Sequence, residues 1–241
     1  YGDYEIADAV TAYMEVSFIN NRVANELAAT PVTGNFNVSL AAVNPFLTAA
    51  ERATLAASDA NETAINAARA ANGLTPLFSG TAAPSNAAGV IQLGVNRRVL
   101  ETGSRNSLDE RNAFRTMLGV KGDITPDLHY DEYYSYARTR NANVQAGNIS
   151  RTQFQNGLNG TSAAIDIFGP GSLSPASVNQ VSILAQNNDI SVLQVAQASV
   201  NGSLFDFGLG GDKIGFAFGG EYRKLFSRFI PDTALSSGDV I

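Results

Sequence analysis

The sequence predicts an all-β fold: antiparallel, up-and-down strands forming part of a large transmembrane β-barrel, with short helices in long extracellular loops. The first observation behind this is a period of two along the chain. Ile214, Phe216, Phe218, Gly220 and Tyr222 occupy one parity and Gly215, Ala217, Gly219, Glu221 and Arg223 the other, so one face is apolar and its reverse small or charged. The preceding arm alternates as well, with Ala196, Ala198, Val200, Gly202 and Leu204 against Gln197, Ser199, Asn201 and Ser203. Both arms exceed the about 5 to 6 residues of a usual globular strand and reach the ~9 to 11 that cross a bilayer at a tilt. The second observation is the order of the connections, long, short, long, short, which in an outer-membrane barrel puts long loops outside and short turns in the periplasm. The third is composition: 22 Gly, no Trp, no Cys, 16% charged residues, and apolar residues in short alternating runs. No apolar run of about 18 residues marks a transmembrane helix, and a barrel needs none.

Strands are expected over about 5–20, 97–122, 128–146, 191–207 and 213–230, with long loops over about 21–95 and 147–190. In the first strand Val10, Ala12, Met14, Val16 and Phe18 share a parity, and Glu15 on the other should face water. The first loop far exceeds the about 4 to 6 residues of an ordinary connection, so it needs structure of its own. Thr48-Ala49-Ala50-Glu51 reads as a capping box ahead of an Ala-rich helix. Asn61 to Ala71 reads as a second short helix stopped by Asn72-Gly73, Asn35 to Val43 as a small strand, and Gly73 to Gly89 as irregular. In the next long strand Phe114, Leu118 and Val120 should point outward and Arg115, Met117, Gly119 and Lys121 inward, before a turn over Gly122 to Asp127. The strand after it is rich in Tyr, which favours strands and membrane interfaces. Its Glu132 shares the parity of Tyr130 and Tyr134, so a bulge or a position near the interface is expected there. In the second loop Ser150-Arg151-Thr152-Gln153 reads as a capping box. Ser174-Pro175 starts a further helix carrying Val178, Val181, Leu184 and Ala185, and Phe168-Gly169-Pro170-Gly171 turns between the two. Gly208 to Lys213 closes the last hairpin, its glycines supplying positive φ.

Tyr1-Gly2-Asp3-Tyr4-Glu5 has neither a basic n-region nor an apolar h-region and is not read as a signal peptide. The chain opens almost directly into a strand pattern and stops at Ser237-Gly238-Asp239-Val240-Ile241 without a capping element, so a piece of something longer is expected. By itself such a piece would leave two unpaired strand edges and aggregate in plain buffer.

The ordered series NRRVLETGSRNSLDERNAFRTMLGVKGDI, LHYDEYYSYARTRNANVQAGNISRTQFQNGL, FGPGSLSP and VAQASVNGSLFDFGLGGDKIGFAFGGEYRK resembles the barrel region of TonB-dependent outer-membrane receptors, over most of the chain. The resemblance implies a mid-barrel piece of a wall of about 22 strands, with the plug domain and the energy-coupling box not represented. It further implies location in the bacterial outer membrane and active uptake of a scarce ligand (iron-siderophore, cobalamin or oligosaccharide). The implied partners are outer-membrane lipid, a small-molecule nutrient, and the TonB energy-coupling protein acting through the plug. A passive porin and a secreted all-β adhesin or binding module are the alternatives.

Chemistry narrows the reading further. With a net charge of -6 and a pI of about 4.8, nucleic acid is not expected as a partner. Lone His129 excludes a two-histidine zinc site and is expected to be structural or solvated. Asp131 and Glu132, like Asp109 and Glu110, fall on opposite strand faces and cannot act as paired acid and base. GxSxG is absent, and Gly208-Leu209-Gly210-Gly211 precedes a strand without GKS or GKT, so it is not a phosphate loop. No catalytic, cofactor or metal residues are assigned. Arg97, Arg98, Arg105, Arg111 and Arg115 are the candidate ligand-binding residues: as lumen guanidiniums they would hold an anionic ligand in forked hydrogen bonds, or else pair with Glu101, Asp109, Glu110 or plug carboxylates.

Overall fold

A computed structural model of the protein describes residues 1–77, 89–206, 208, 210, 211 and 213–241. Its main element is a six-stranded sheet in the order β1-β2-β5-β6-β7-β8, built from β1 (Gly2–Ala7), β2 (Val10–Leu27), β5 (Arg105–Thr125), β6 (Leu128–Ile149), β7 (Ser182–Ser203) and β8 (Gly215–Pro231). A two-stranded sheet pairs β3 (Pro31–Ser39) with β4 (Val90–Arg98) in antiparallel register, Pro31 opposite Arg98 and Ser39 opposite Val90. Cross-strand contacts in the main sheet run in opposite numerical order. β2 meets β5 at Tyr13 with Gly119 and at Asn20 with Asn112, and β5 meets β6 at Asp123 with His129 and at Asp109 with Asn143. β6 meets β7 at Asp131 with Ser199 and at Arg140 with Asn188, and Gly219 of β8 lies against Ala198 and Ser199 of β7. The strands are therefore antiparallel and follow chain order, as predicted. The sheet is not closed into a barrel: β1 and β8 are its two edges.

Several boundaries differ from expectation. The first strand is a hairpin, since Asp8 and Ala9 turn between β1 and β2 and the register shifts between Glu5 and Ala7. Residues 97–104 do not extend the second long strand. β4 ends at Arg98, a 3-10 turn covers Leu100–Thr102, and β5 starts at Arg105. The turn after β5 narrows to Pro126 and Asp127. β7 begins at Ser182 and not near 191, so Leu184 and Ala185 are strand residues. The early start is held by Asp232, whose Oδ2 accepts from the Gln186 N–H at 2.6 Å while its own N–H donates to the Gln186 carbonyl at 2.9 Å.

Two compact units emerge, one comprising Tyr1–Val23, Leu108–Asn143 and Asn187–Ile230, the other Ala24–Ser107, Val144–Gln186 and Pro231–Ile241. In the first, the sheet is a single layer: Tyr13 and Val195 are its only buried apolar residues among those described. The second unit holds a true core, in which Val32, Phe36 and Val38 of β3 and Ile91 and Val95 of β4 meet Ile149, Phe154, Leu158, Ile165 and Val181. Phe36 and Phe154 pack edge to face at 5.2 Å, and fully burying each such side chain contributes about 1.5–3 kcal/mol. Both long connections thus build one core, where sequence reasoning treats them as separate loops.

The helices of this unit start at the caps the sequence indicates, with the full capping box formed at Thr48 and only its hydroxyl half at Ser150. α1 (Leu40–Val43) is a single turn, followed by α2 (Ala49–Ala71), whose capping box joins the Thr48 hydroxyl to the Glu51 N–H and the Glu51 carboxylate to the Thr48 N–H at 2.7 Å. The two short helices expected here are one, because nothing between Ala49 and Ala71 breaks it: Ser58 returns its hydroxyl to the Thr54 carbonyl, and Asn72 with Gly73 ends the run. A polar stripe docks α2. Asp59 accepts from the Gly89 N–H at 2.9 Å, Glu62 from the Gln92 N–H at 3.1 Å and Asn66 from the Leu77 N–H at 2.9 Å. Burial raises the Glu62 pKa, only partly countered by the Gln92 N–H. Ser150 caps α3 (Arg151–Asn159) and Ser174 caps α4 (Pro175–Val181), with Pro175 in the first turn. Asp239 completes the cap of α3. Its Oδ2 accepts from the Ser150 hydroxyl at 2.5 Å and its Oδ1 from the Thr152 N–H at 2.7 Å. Burial would raise the Asp239 pKa, but these bonds and the Arg151 charge outweigh it and hold the carboxyl below its usual range. The final residues dock after α5 (Thr233–Ser236), where the Ile241 N–H donates to the Ile149 carbonyl at 2.9 Å. The irregular stretch expected over Gly73 to Gly89 lies mostly outside the described residues.

Candidate functional site

Apart from the shifted end of β1, where Ala7 pairs with Val10, the pairing in the first unit joins even residues to even and odd to odd, so number parity names a face of its sheet. On the even face stand Met14, Val16 and Phe18 of β2, Phe114 and Leu118 of β5, Tyr134 of β6, and Phe218 and Tyr222 of β8. All are exposed, Phe218 at 80%. So many large apolar groups on one side of a single-layer sheet mark an interaction surface. Val120, Ala198 and Gly220 continue this face in the row of Glu132. Glu132 is exposed, and β5 and β6 keep one register from Asp123 with His129 to Asp109 with Asn143, so no bulge between them turns Glu132 away. Its carboxylate stands in the row next to that of Gly122, toward the turn end of the face and among smaller neighbours.

The odd face is tied by polar contacts. The Tyr13 hydroxyl donates to Asp131 Oδ1 at 2.6 Å, and the Tyr133 hydroxyl to Gln197 Oε1 at 2.8 Å. Arg115 Nη1 donates to Glu15 Oε1 at 3.3 Å, and Lys121 Nζ lies 5.7 Å from the centre of the Tyr13 ring. His129 Nδ1 contacts Asp123 Oδ1, and Arg223 pairs with Glu221 at 2.8 Å. Tyr13, only 8% exposed, lies across Gly119, where a Cβ would come within 2.7 Å of its Cε1. Glycine is required there because the ring covers the backbone. Ile19, Leu225 and Phe229 are exposed on the same face toward the other end of the strands, so its polarity is not uniform.

The five candidate arginines do not gather into one set. Arg97, Arg98 and Arg105 belong to the second unit and are spent on its own carbonyls and carboxylate. Arg97 donates to the Asp166 carbonyl at 2.6 Å and contacts Glu101, Arg98 donates to the Ala29 carbonyl at 2.8 Å, and Arg105 to the Ala28 carbonyl at 3.0 Å. Arg111 and Arg115 lie in the first unit on the odd face of β5, Arg115 against Glu15 and Arg111 exposed. Sequence reasoning missed the Tyr13–Asp131 and Tyr133–Gln197 pairs. Their parity was legible, but which odd residues meet depends on the register between β2, β5, β6 and β7.

Among the described residues no helix is long and apolar enough to cross a membrane, a statement that bears on helices alone. Comparison with protein-family models, with curated proteins and with solved structures returns no match.

Proposed function

We propose that this chain is part of the barrel of a TonB-dependent receptor in the bacterial outer membrane, serving active uptake of a scarce small-molecule ligand. One observation carries the reading: a single-layer antiparallel sheet whose even face is an uncovered, largely apolar band interrupted by Glu132 and Lys224, and whose odd face holds a polar network. That is the division a barrel wall needs between lipid and lumen. At about 3.3 Å per residue and a tilt of about 40°, the strand from Asn112 to Gly122 spans about 25 Å, the height of a membrane band. Coupling to inner-membrane energy through a plug outside this chain rests on the resemblance of the sequence.

The experiment is protease treatment of intact cells that make the full-length protein, with fractionation. Asn72 to Leu77 and the Thr125 to Asp127 turn are both exposed in the chain itself, so only a membrane can distinguish them. The protein is expected in the outer-membrane fraction, cut within Asn72 to Leu77 and spared at Thr125 to Asp127 until the membrane is opened. A soluble protein, or cutting first at the short turn, overturns the proposal.

A further inference from the structure

The even face keeps its arginines at one end, while Lys224 stands nearer mid-strand in the row of Val16, Thr116 and Tyr136. Register places Arg138 in one row with Phe18, Phe114 and Phe226, and Arg140 in the next with Asn20, Asn112 and Arg228, toward the strand ends from which the long connections leave. At the opposite end the strand residues of this face, among them Gly122, Ile124, Tyr130, Phe216 and Phe218, carry no charge. Generic snorkelling of basic side chains to membrane interfaces would populate both ends. Arg138 and Arg140 are exposed and share a shallow cavity of about 270 Å³ with Phe18, Asn112, Ala113 and Phe114. Arg140 is held in place, its Nε and Nη2 donating to Asn188 Oδ1 at 3.2 and 2.9 Å. Among the described residues neither arginine is in an ion pair, although the chain as a whole carries a net charge of -6. The neighbouring carboxylate, Glu110, takes the Asn112 amide at 3.5 Å.

We propose that this patch binds the phosphate-bearing headgroup of a membrane lipid in the leaflet on the side of the long connections. The inference rests on the barrel reading above. Guanidinium groups match phosphate through forked, charge-assisted hydrogen bonds. The Phe18 and Phe114 rings beside them give an acyl chain an apolar floor, which a free anion would not use. Lipid is therefore the source of the phosphate, and the two arginines set its position.

The test uses the full-length protein extracted from membranes in nonionic detergent, with binding followed by native mass spectrometry. The probes are a bis-phosphorylated glycolipid, the same glycolipid stripped of phosphate, and inorganic phosphate. Removing a cation near a membrane surface weakens anionic-lipid binding roughly fivefold, so Arg138→Gln with Arg140→Gln should weaken the phosphorylated probe about thirtyfold. Lysine at both positions, which keeps the charge but not the fork, should restore only part of the binding. The stripped glycolipid should bind the unmodified protein as weakly as the phosphorylated one binds the double variant, and inorganic phosphate should not compete. The comparison of the two glycolipids needs no variant, so it decides the matter even where a substitution blocks folding. Equal binding of both glycolipids, or competition by inorganic phosphate, overturns the lipid site. A membrane-inserted protein indifferent to lipid phosphate sinks this inference alone, whereas a protein found soluble sinks the barrel reading with it.

Discussion

Replacing Leu118 with Arg asks which solvent covers the even face. Leu118 is 56% exposed and shares a row with Met14, Tyr134, Ala196 and Tyr222. It lies about 20 Å along the strand from Asn112, or about 15 Å of depth at a tilt of about 40°, which is close to the middle of a band of about 25 Å. In water, a charge at so exposed a site changes stability by within about 0.5 kcal/mol. In a bilayer, a mid-plane Arg costs about 2–4 kcal/mol, falling to about 0–1 kcal/mol near the interfaces. Ile124→Arg at the turn end supplies the shallow comparison, and Ala217→Arg on the odd face of β8 the aqueous one. Gly119, though on the odd face, cannot serve because Tyr13 covers it. The assay is reversible folding of the full-length protein in phospholipid vesicles against denaturant. The expected order of cost is Leu118 well above Ile124 and Ala217. Equal costs at the three positions, or less than about 0.5 kcal/mol at Leu118, would refute the assignment of the even face to lipid.

Two further expectations concern single contacts. Gly119→Ala should destabilise the sheet by about 1–3 kcal/mol by forcing the Tyr13 ring aside, and Tyr13→Ala should relieve most of that cost in a double-mutant cycle; additive losses would show that the ring is not the obstacle. Asp239 and Glu62 should give the second unit opposing pH dependences. The Asp239 carboxyl is lowered, so its contribution is present above its ordinary value of 3.8 and lost as pH falls through the lower folded value. Glu62 is raised, so its contribution is present below its ordinary value of 4.5 and lost as pH rises through the folded value. Thermal unfolding followed by proteolysis should find the acid limb flattened by Asp239→Asn and neutral-pH stability increased by Glu62→Gln. Unchanged profiles in both variants would contradict these assignments.

Alternation in the sequence was enough to find β2, β5, β6 and β8 and to set Phe114 and Leu118 on the opposite face from Arg115 and Lys121, because a period of two depends only on the chain's own pleat. Capping residues were equally legible: Thr48, Ser150 and Ser174 each satisfy a first-turn N–H within three residues, a local chemistry. What stayed hidden was tertiary. The continuity of α2 was obscured because its stripe of Asp59, Glu62 and Asn66 is polar and makes sense only once the N–H groups of Gly89, Gln92 and Leu77 lie beside it. The early start of β7 depends on Asp232, far along the chain, and the fate of Arg97 and Arg98 on carbonyls of remote segments. Asp239, which looked like an uncapped tail, serves as the cap of a helix nearly ninety residues earlier, as the separation of 89 from Ser150 records.

The sharing of one core by the two long connections makes them inseparable as units of exchange. Phe36 comes from the first connection and Phe154 from the second, and each covers the other. A graft of the first connection alone into another protein would turn Phe36, Val38 and Ile91 toward water, creating an apolar patch prone to association. Recombination that swaps surface segments singly is disfavoured at this point, and a successful chimaera would have to carry both segments together with the docked C-terminal residues. Antibodies that recognise this surface should accordingly read discontinuous epitopes, assembled from stretches that no single linear peptide contains.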